Sequence, residues 1–215
     1  KMLVSAYPTV STMLISELSS DNVTDNGSQY DTYGQVCGDA YQWKDITTDD
    51  TDAPKSVWDA HYNAIASANQ ALKAIEELGG GSDYDAQRGE ALICRAFAHF
   101  QLANLFCLPY DAATAETVLG IPYTTEPETT VLPEGIERGT LAHTYEMIDR
   151  DIEEALPLIN DDIYTVPKYH FNQKAAYAFA ARFNLYYHRF DKVIEYADKV
   201  LGSNPAGSVR DWKAF

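Results

Sequence analysis

WDAHYNAIASANQALKAIEELGGGSDYDAQRGEALICRAFAHFQLANLFC, residues 58–107, decides the fold. In its first half Trp58, Tyr62, Ile65, Asn69, Leu72 and Ile75 recur at steps of four and three, the spacing that lines one face of an α-helix. Ser56 and Asp59 form a capping-box pattern ahead of it. Gly79, Gly80 and Gly81 suit the left-handed stop that ends a helix. A second helix is expected to open at Ser82-x-x-Asp85 and run to about Phe106, with Leu92, Ala96, His99, Phe100, Ala103 and Phe106 on its stripe. At about 1.5 Å per residue each helix is roughly 30 Å long or more. Two long helices joined by so short a loop are expected to be antiparallel neighbours, a helical hairpin over residues 57–107.

Outward from this hairpin, Val10, Met13, Leu14 and Leu18 give a short amphipathic helix. Residues 19–55 then lose all periodicity. Turn-forming Asp, Asn and Gly alternate there with Tyr30, Tyr33, Tyr41 and Trp43, so a long irregular loop is expected. A second long loop, residues 108–139, carries Pro109, Pro122, Pro127 and Pro133, a density that stiffens the chain and keeps it out of sheets. Thr140 is placed to cap a helix whose stripe is Leu141, Tyr145, Ile148, Ile152, Leu156 and Ile159, and Pro157 is expected to kink or end it near its last turn. Asn172 caps the next helix, and Val193, Ile194, Ala197, Val200 and Leu201 stripe the last. Residues 173–205 can be laid on the 34-residue tetratricopeptide pattern: Tyr177 takes the first aromatic slot, Ala180-Ala181 the small pair and Phe190 the turn aromatic. Asn184 and Val193 depart from it. The fold class expected is all-α, built of tetratricopeptide-like helical hairpins with long irregular loops.

Composition narrows the function. The 215 residues carry a net charge of −16, with a pI near 4.5. That disfavours nucleic-acid binding, which needs a basic face, and plain adsorption to anionic lipid. Cys37, Cys94 and Cys107 make no metal spacing, and Cys94 and Cys107 sit roughly 20 Å apart on one expected helix, beyond disulfide reach. No apolar run approaches the roughly 20 residues of a membrane span. His61, His99, His143, His170 and His188 fall in no metalloprotease or nucleophile-elbow motif. Glu76-Glu77 and Glu153-Glu154 are adjacent on helices, so each pair diverges rather than flanking a sugar bond. No catalytic residue, metal or cofactor is therefore expected. Arg88 and Arg95 read as packing ion pairs, Asn69 as a partner for backbone groups of an adjoining loop, and His99 as a hydrogen-bonded core residue.

The block Trp58-x-x-x-Tyr62-x-x-Ile65-x-x-x-Asn69-x-x-Leu72, followed by Arg88-Gly89-Glu90-Ala91 and Arg95-Ala96-Phe97-x-x-Phe100, resembles the SusD/RagB family of outer-membrane glycan-capture lipoproteins. Gly120-Ile121-Pro122-Tyr123 and the helix from Phe190 to Ala197 carry the same resemblance, which runs from about Leu14 to Pro205. Members begin at a lipidated cysteine and exceed 400 residues in length; Lys1 is not a cysteine, and the 215 residues look like an amino-terminal portion, a single SusD-like domain over residues 1–215. The resemblance implies non-catalytic capture of oligosaccharide at the outer surface of the outer membrane. The glycan would be handed to a SusC-like TonB-dependent transporter, with the membrane reached only through a lipid anchor that these residues lack. Exposed rings stack on the apolar faces of sugars while polar groups read the hydroxyl rim. On the first loop Tyr30, Tyr33, Tyr41 and Trp43, with Asp45, supply that combination and are the candidate glycan-binding residues. Two other classes stay open from the residues alone: a tetratricopeptide-type protein-interaction module that binds no glycan, and a glycan-processing enzyme whose carboxylates meet across loops.

Overall fold

A computed structural model describes residues 15–24, 27, 34–50, 53–127, 135–202, 205–208 and 213. Residues 15–18 are helical, and the further α-helices are α1 (Gln35–Tyr41), α2 (Pro54–Glu77), α3 (Asp85–Phe106), α4 (Leu141–Ala155), α5 (Gln173–Tyr186) and α6 (Phe190–Leu201). Strand pairing among the described residues is limited to one antiparallel bridge, Leu119 to Thr140. The chain divides into two compact units, Lys1–Ser67 and Ala68–Phe215, with the boundary inside α2.

In the first unit α2 opens at Pro54, a residue whose fixed φ and missing N–H suit a first helical turn. The expected capping box does not form. Ser56 already lies inside the helix and its hydroxyl donates to Asp50 O at 2.8 Å, while Asp59 pairs with Lys55 at 2.6 Å. The buried positions of α2 in this unit are Val57, His61, Ala64 and Ile65. Trp58 and Tyr62 are only half-buried, their rings 4.9 Å apart. The expected stripe is thus rotated: bulk made Trp58 look central, whereas alanines let the backbone approach its neighbours. A second correction concerns the first loop, which is interrupted by α1. That helix is seven residues long, contains Gly38 and has no side-chain cap, so no sequence signal marked it. The readings for residues before Ile15 lie outside the described residues.

The second unit is built on α3, which is buried on every side between Ala91 and Ala103 except at Cys94. An all-round apolar helix is a core helix. Its start also differs from expectation: Ser82–Tyr84 form a 3₁₀ turn, and the residue before α3, Tyr84, makes no side-chain cap. The close helix pairs are α3 with α4 and α5 with α6. At Gly89 the chain after α4 comes so near that a Cβ would meet Ala155 O, Ile159 N and Leu158 Cβ, each at 3.0 Å. All six expected stripe residues of α4, from Leu141 to Ile159, are buried. Thr140 Oγ1 accepts from His143 N at 3.1 Å, and Asn172 Oδ1 from Ala175 N at 2.9 Å, as capping chemistry requires. Aromatic rings close the core: Phe97 lies 5.1 Å and Phe100 5.7 Å from Phe179, and Tyr145 lies 5.6 Å from Phe183. On α6 the expected stripe is only partly covered. Tyr196 is its one fully buried residue among those described, and Ile194 is 64 % exposed.

Candidate functional site

A buried polar network fixes the loop from Gly120 to Pro127 to the helices. Arg95, on α3, is 5 % exposed, and Asp151, on α4, is fully buried. The guanidinium donates from Nε to Asp151 Oδ2 at 2.6 Å and from Nη2 to Oδ1 at 2.7 Å. This two-pronged geometry is the strongest an arginine and a carboxylate can make. Nη1 donates to Asn69 Oδ1 at 3.0 Å and to Thr125 O at 3.4 Å. Asn69 in turn gives its amide hydrogens to Thr124 O and Glu126 O, at 3.1 and 3.4 Å. The Tyr123 hydroxyl donates to Asp151 Oδ2 at 2.6 Å, and burial beside that carboxylate pushes the phenol well above its usual range. Asn69 and Arg95 therefore do what their positions suggested, holding an adjoining loop and pinning helix packing. Arg88 pairs with Glu154, and Glu90 with His170 at 2.8 Å.

His99, one turn beyond Arg95, completes the network. Its Nδ1 donates to Arg95 O at 2.9 Å, its Nε2 accepts from Thr124 N at 3.4 Å, and its ring stacks on Tyr123 at 3.8 Å. That pattern fits only the neutral ring, since a proton on Nε2 would face an N–H donor. Burial holds the imidazole down to about 3 from 6.5, and the Arg95 charge adds to the effect. The unfolded chain therefore binds a proton that the native chain refuses. Stability from this group is complete above pH 6.5 and is lost as pH falls from 6.5 towards 3. At pH 5 the loss is about 2 kcal/mol. Urea unfolding at pH 7.5 and pH 5 should show it, and His99→Gln should remove that part of the difference. An equal pH difference in both proteins would contradict the assignment.

The sequence-predicted glycan residues lie in the first unit. Tyr30 and Tyr33 fall outside the described residues. Tyr41 is half-buried in the last turn of α1 rather than in an irregular loop, and Asp45 is exposed. Trp43 is 76 % exposed, and its backbone is left-handed, with φ of 55°. The cause is the way α1 ends. Trp43 N donates to Ala40 O at 3.2 Å and Lys44 N to Asp39 O at 2.9 Å, the paired bonds of a Schellman stop. The same stop ends α2, where Gly79 takes the left-handed position with φ of 92°. A glycine belongs there; an L side chain costs about 1 kcal/mol or more in that conformation. The chain instead places its bulkiest side chain at a strained position and leaves the ring in solvent. The result is a solvent-facing indole beside Gln42, Lys44 and Asp45, all exposed. This can stack on an apolar face and offer polar groups at its edge. Among the described residues no group of His, Cys, Asp and Glu is arranged to hold a metal ion, and no helix is long and apolar enough to cross a membrane.

The architecture is that of helical-hairpin proteins of the tetratricopeptide kind. The chain belongs to the SusD-like family: the family model described as starch-binding, associating with the outer membrane, matches residues 1–185. Solved structures agree on the fold. A SusD superfamily protein from Bacteroides vulgatus superposes with a TM-score of 0.75 at 22 % identity, over 98 % of this chain and 46 % of that one. A laminarin-binding SusD-like protein gives 0.68 at 21 % identity, over 94 % and 41 %. A putative sugar-binding protein, also from Bacteroides vulgatus, gives 0.63 at 25 % identity, over 76 % and 36 %. The chain thus spans less than half the length of these proteins. No curated protein matches it.

Proposed function

We propose that this chain forms part of a non-catalytic glycan receptor at the bacterial outer surface, and that Trp43 is a stacking platform for the sugar. The observation that carries the reading is the exposed indole held in a left-handed Schellman position, a conformation that favours glycine. Backbone strain retained at an exposed aromatic points to use of that ring. The family's description as starch-binding, and a laminarin-binding relative, support the ligand class. Tyr41 and Asp45 flank the platform in sequence, and Tyr30 and Tyr33 precede it on the same loop. In the whole protein a lipid anchor would tether the receptor to the outer membrane, and a SusC-like TonB-dependent transporter would take over the captured glycan. No bond of the sugar is made or broken in this role.

Trp43→Gly separates the ring's function from its structural cost. Glycine takes the left-handed conformation freely, so thermal stability should be unchanged or slightly raised. Binding in an affinity-gel or glycan-array assay should weaken about tenfold or more, the worth of about 1.4 kcal/mol. Retention of wild-type affinity by a folded Trp43→Gly protein would remove Trp43 from the site.

A further inference from the structure

We infer that a cleft in the second unit, distinct from the Trp43 platform, is a second saccharide subsite that takes uncharged, hydroxyl-bearing sugar residues. It lies between the last turns of α2 and the first turns of α3, with the end of α4 and residues 125–127 completing the wall. Its volume is about 400 Å³, within the range of small-molecule sites. Within the second unit the close partner of α3 is α4.

The lining states the ligand's chemistry. Leu72, Ile75 and Leu92 give it an apolar part, against which the C–H face of a sugar ring can lie. The polar part comes in opposite charges. Lys73 pairs with Glu76 at 2.9 Å, Arg88 pairs with Glu154, and Glu126 adds a further carboxylate. Three cationic and three anionic side chains line one space, which suits neither an anion nor a cation. Arg95 also lines the cleft. A guanidinium has five N–H groups, and the bonds to Asp151, Asn69 and Thr125 use four of them. The Tyr123 hydroxyl is also within hydrogen-bonding reach of this guanidinium, so Arg95, only 5 % exposed, contributes a fixed positive charge to the wall. A hydroxyl is the group that can accept from Lys73 and donate to Glu126 at the same time. The inference takes its ligand class from the glycan-capture reading but rests on a different set of residues.

The test is amide and indole NMR on the whole chain, titrated with uncharged trisaccharides of glucose, galactose, mannose and xylose. Trigalacturonate and a deacetylated chitosan trimer serve as charged probes. At least one uncharged probe should move the Gly79, Gly80 and Thr125 amides saturably. Lys73→Ala combined with Glu126→Ala, both surface changes, should weaken that response about tenfold. Movement of the Trp43 indole alone overturns the cleft and leaves the platform standing. Movement of the cleft amides only by a charged probe, or an undiminished response in the double variant, also overturns it. Silence at both places overturns both readings, whereas movement of the cleft amides alone supports the cleft and counts against the platform.

Discussion

Arg95→Met should lower the free energy of unfolding by about 3–5 kcal/mol, the largest effect expected of any single substitution in this chain. The methionine fills similar space, so lost packing is not the main cause. The cause is Asp151, which has no exposure and, among the described residues, would keep only the Tyr123 hydroxyl as hydrogen-bond partner. An uncompensated buried carboxylate must take up a proton or open the structure. Asn69 and Thr125 lose their donor as well, so the loop from Gly120 to Pro127 should loosen. Urea denaturation reads the first effect, and amide exchange at Thr124 and Thr125 reads the second. Arg95→Met with Asp151→Leu should recover much of the loss, because replacing a whole buried ion pair by apolar groups is often nearly neutral. A single variant within 1 kcal/mol of wild type would show that the pair is not buried as described.

Gly120→Ala should cost about 2–3 kcal/mol by overpacking. A Cβ there would stand 2.2 Å from Thr144 Oγ1 and 2.5 Å from Thr140 O. The hydroxyl could rotate away, but the carbonyl belongs to the capped first turn of α4 and cannot. Rotation also has a cost, because Thr144 Oγ1 accepts from Ile121 N at 3.2 Å. Arg138 clamps the same point from outside, donating to Gly120 O at 2.6 Å and to Phe106 O at 2.8 Å. Thermal melting of Gly120→Ala, alone and with Thr144→Ala, tests the assignment. The second change should rescue only in part, since the contact with Thr140 O remains. Full rescue would place the obstruction on the side chain rather than the backbone.

These two sites show how far the sequence could be read. The α4 stripe from Leu141 to Ile159 was legible because one face of that helix meets the core and the other meets water. Capping by Thr140 and Asn172 was legible because it depends on atoms three residues apart. The Ser56 box was misread for the opposite reason. Pro54 starts the helix, and the Ser56 hydroxyl finds Asp50 O, which no local pattern announces. Arg95 could be recognised as an ion-pair residue, but its partner stands 56 residues away. Glu90, five residues before Arg95 on the same helix, pairs with His170 instead.

By itself, then, the chain's residue pattern determined what depends on neighbours a turn or two apart: the extent of the long helices, the buried face of α4, most stops, and an aromatic-rich segment resembling glycan receptors. Tertiary structure decided which charges meet and which glycine must stay bare. It also opened a cleft between α2 and α3 and turned Trp43 outwards at the left-handed end of a helix that the pattern did not mark. Those outcomes depend on contacts between segments distant in sequence, or on a backbone angle, and residue periodicity encodes neither.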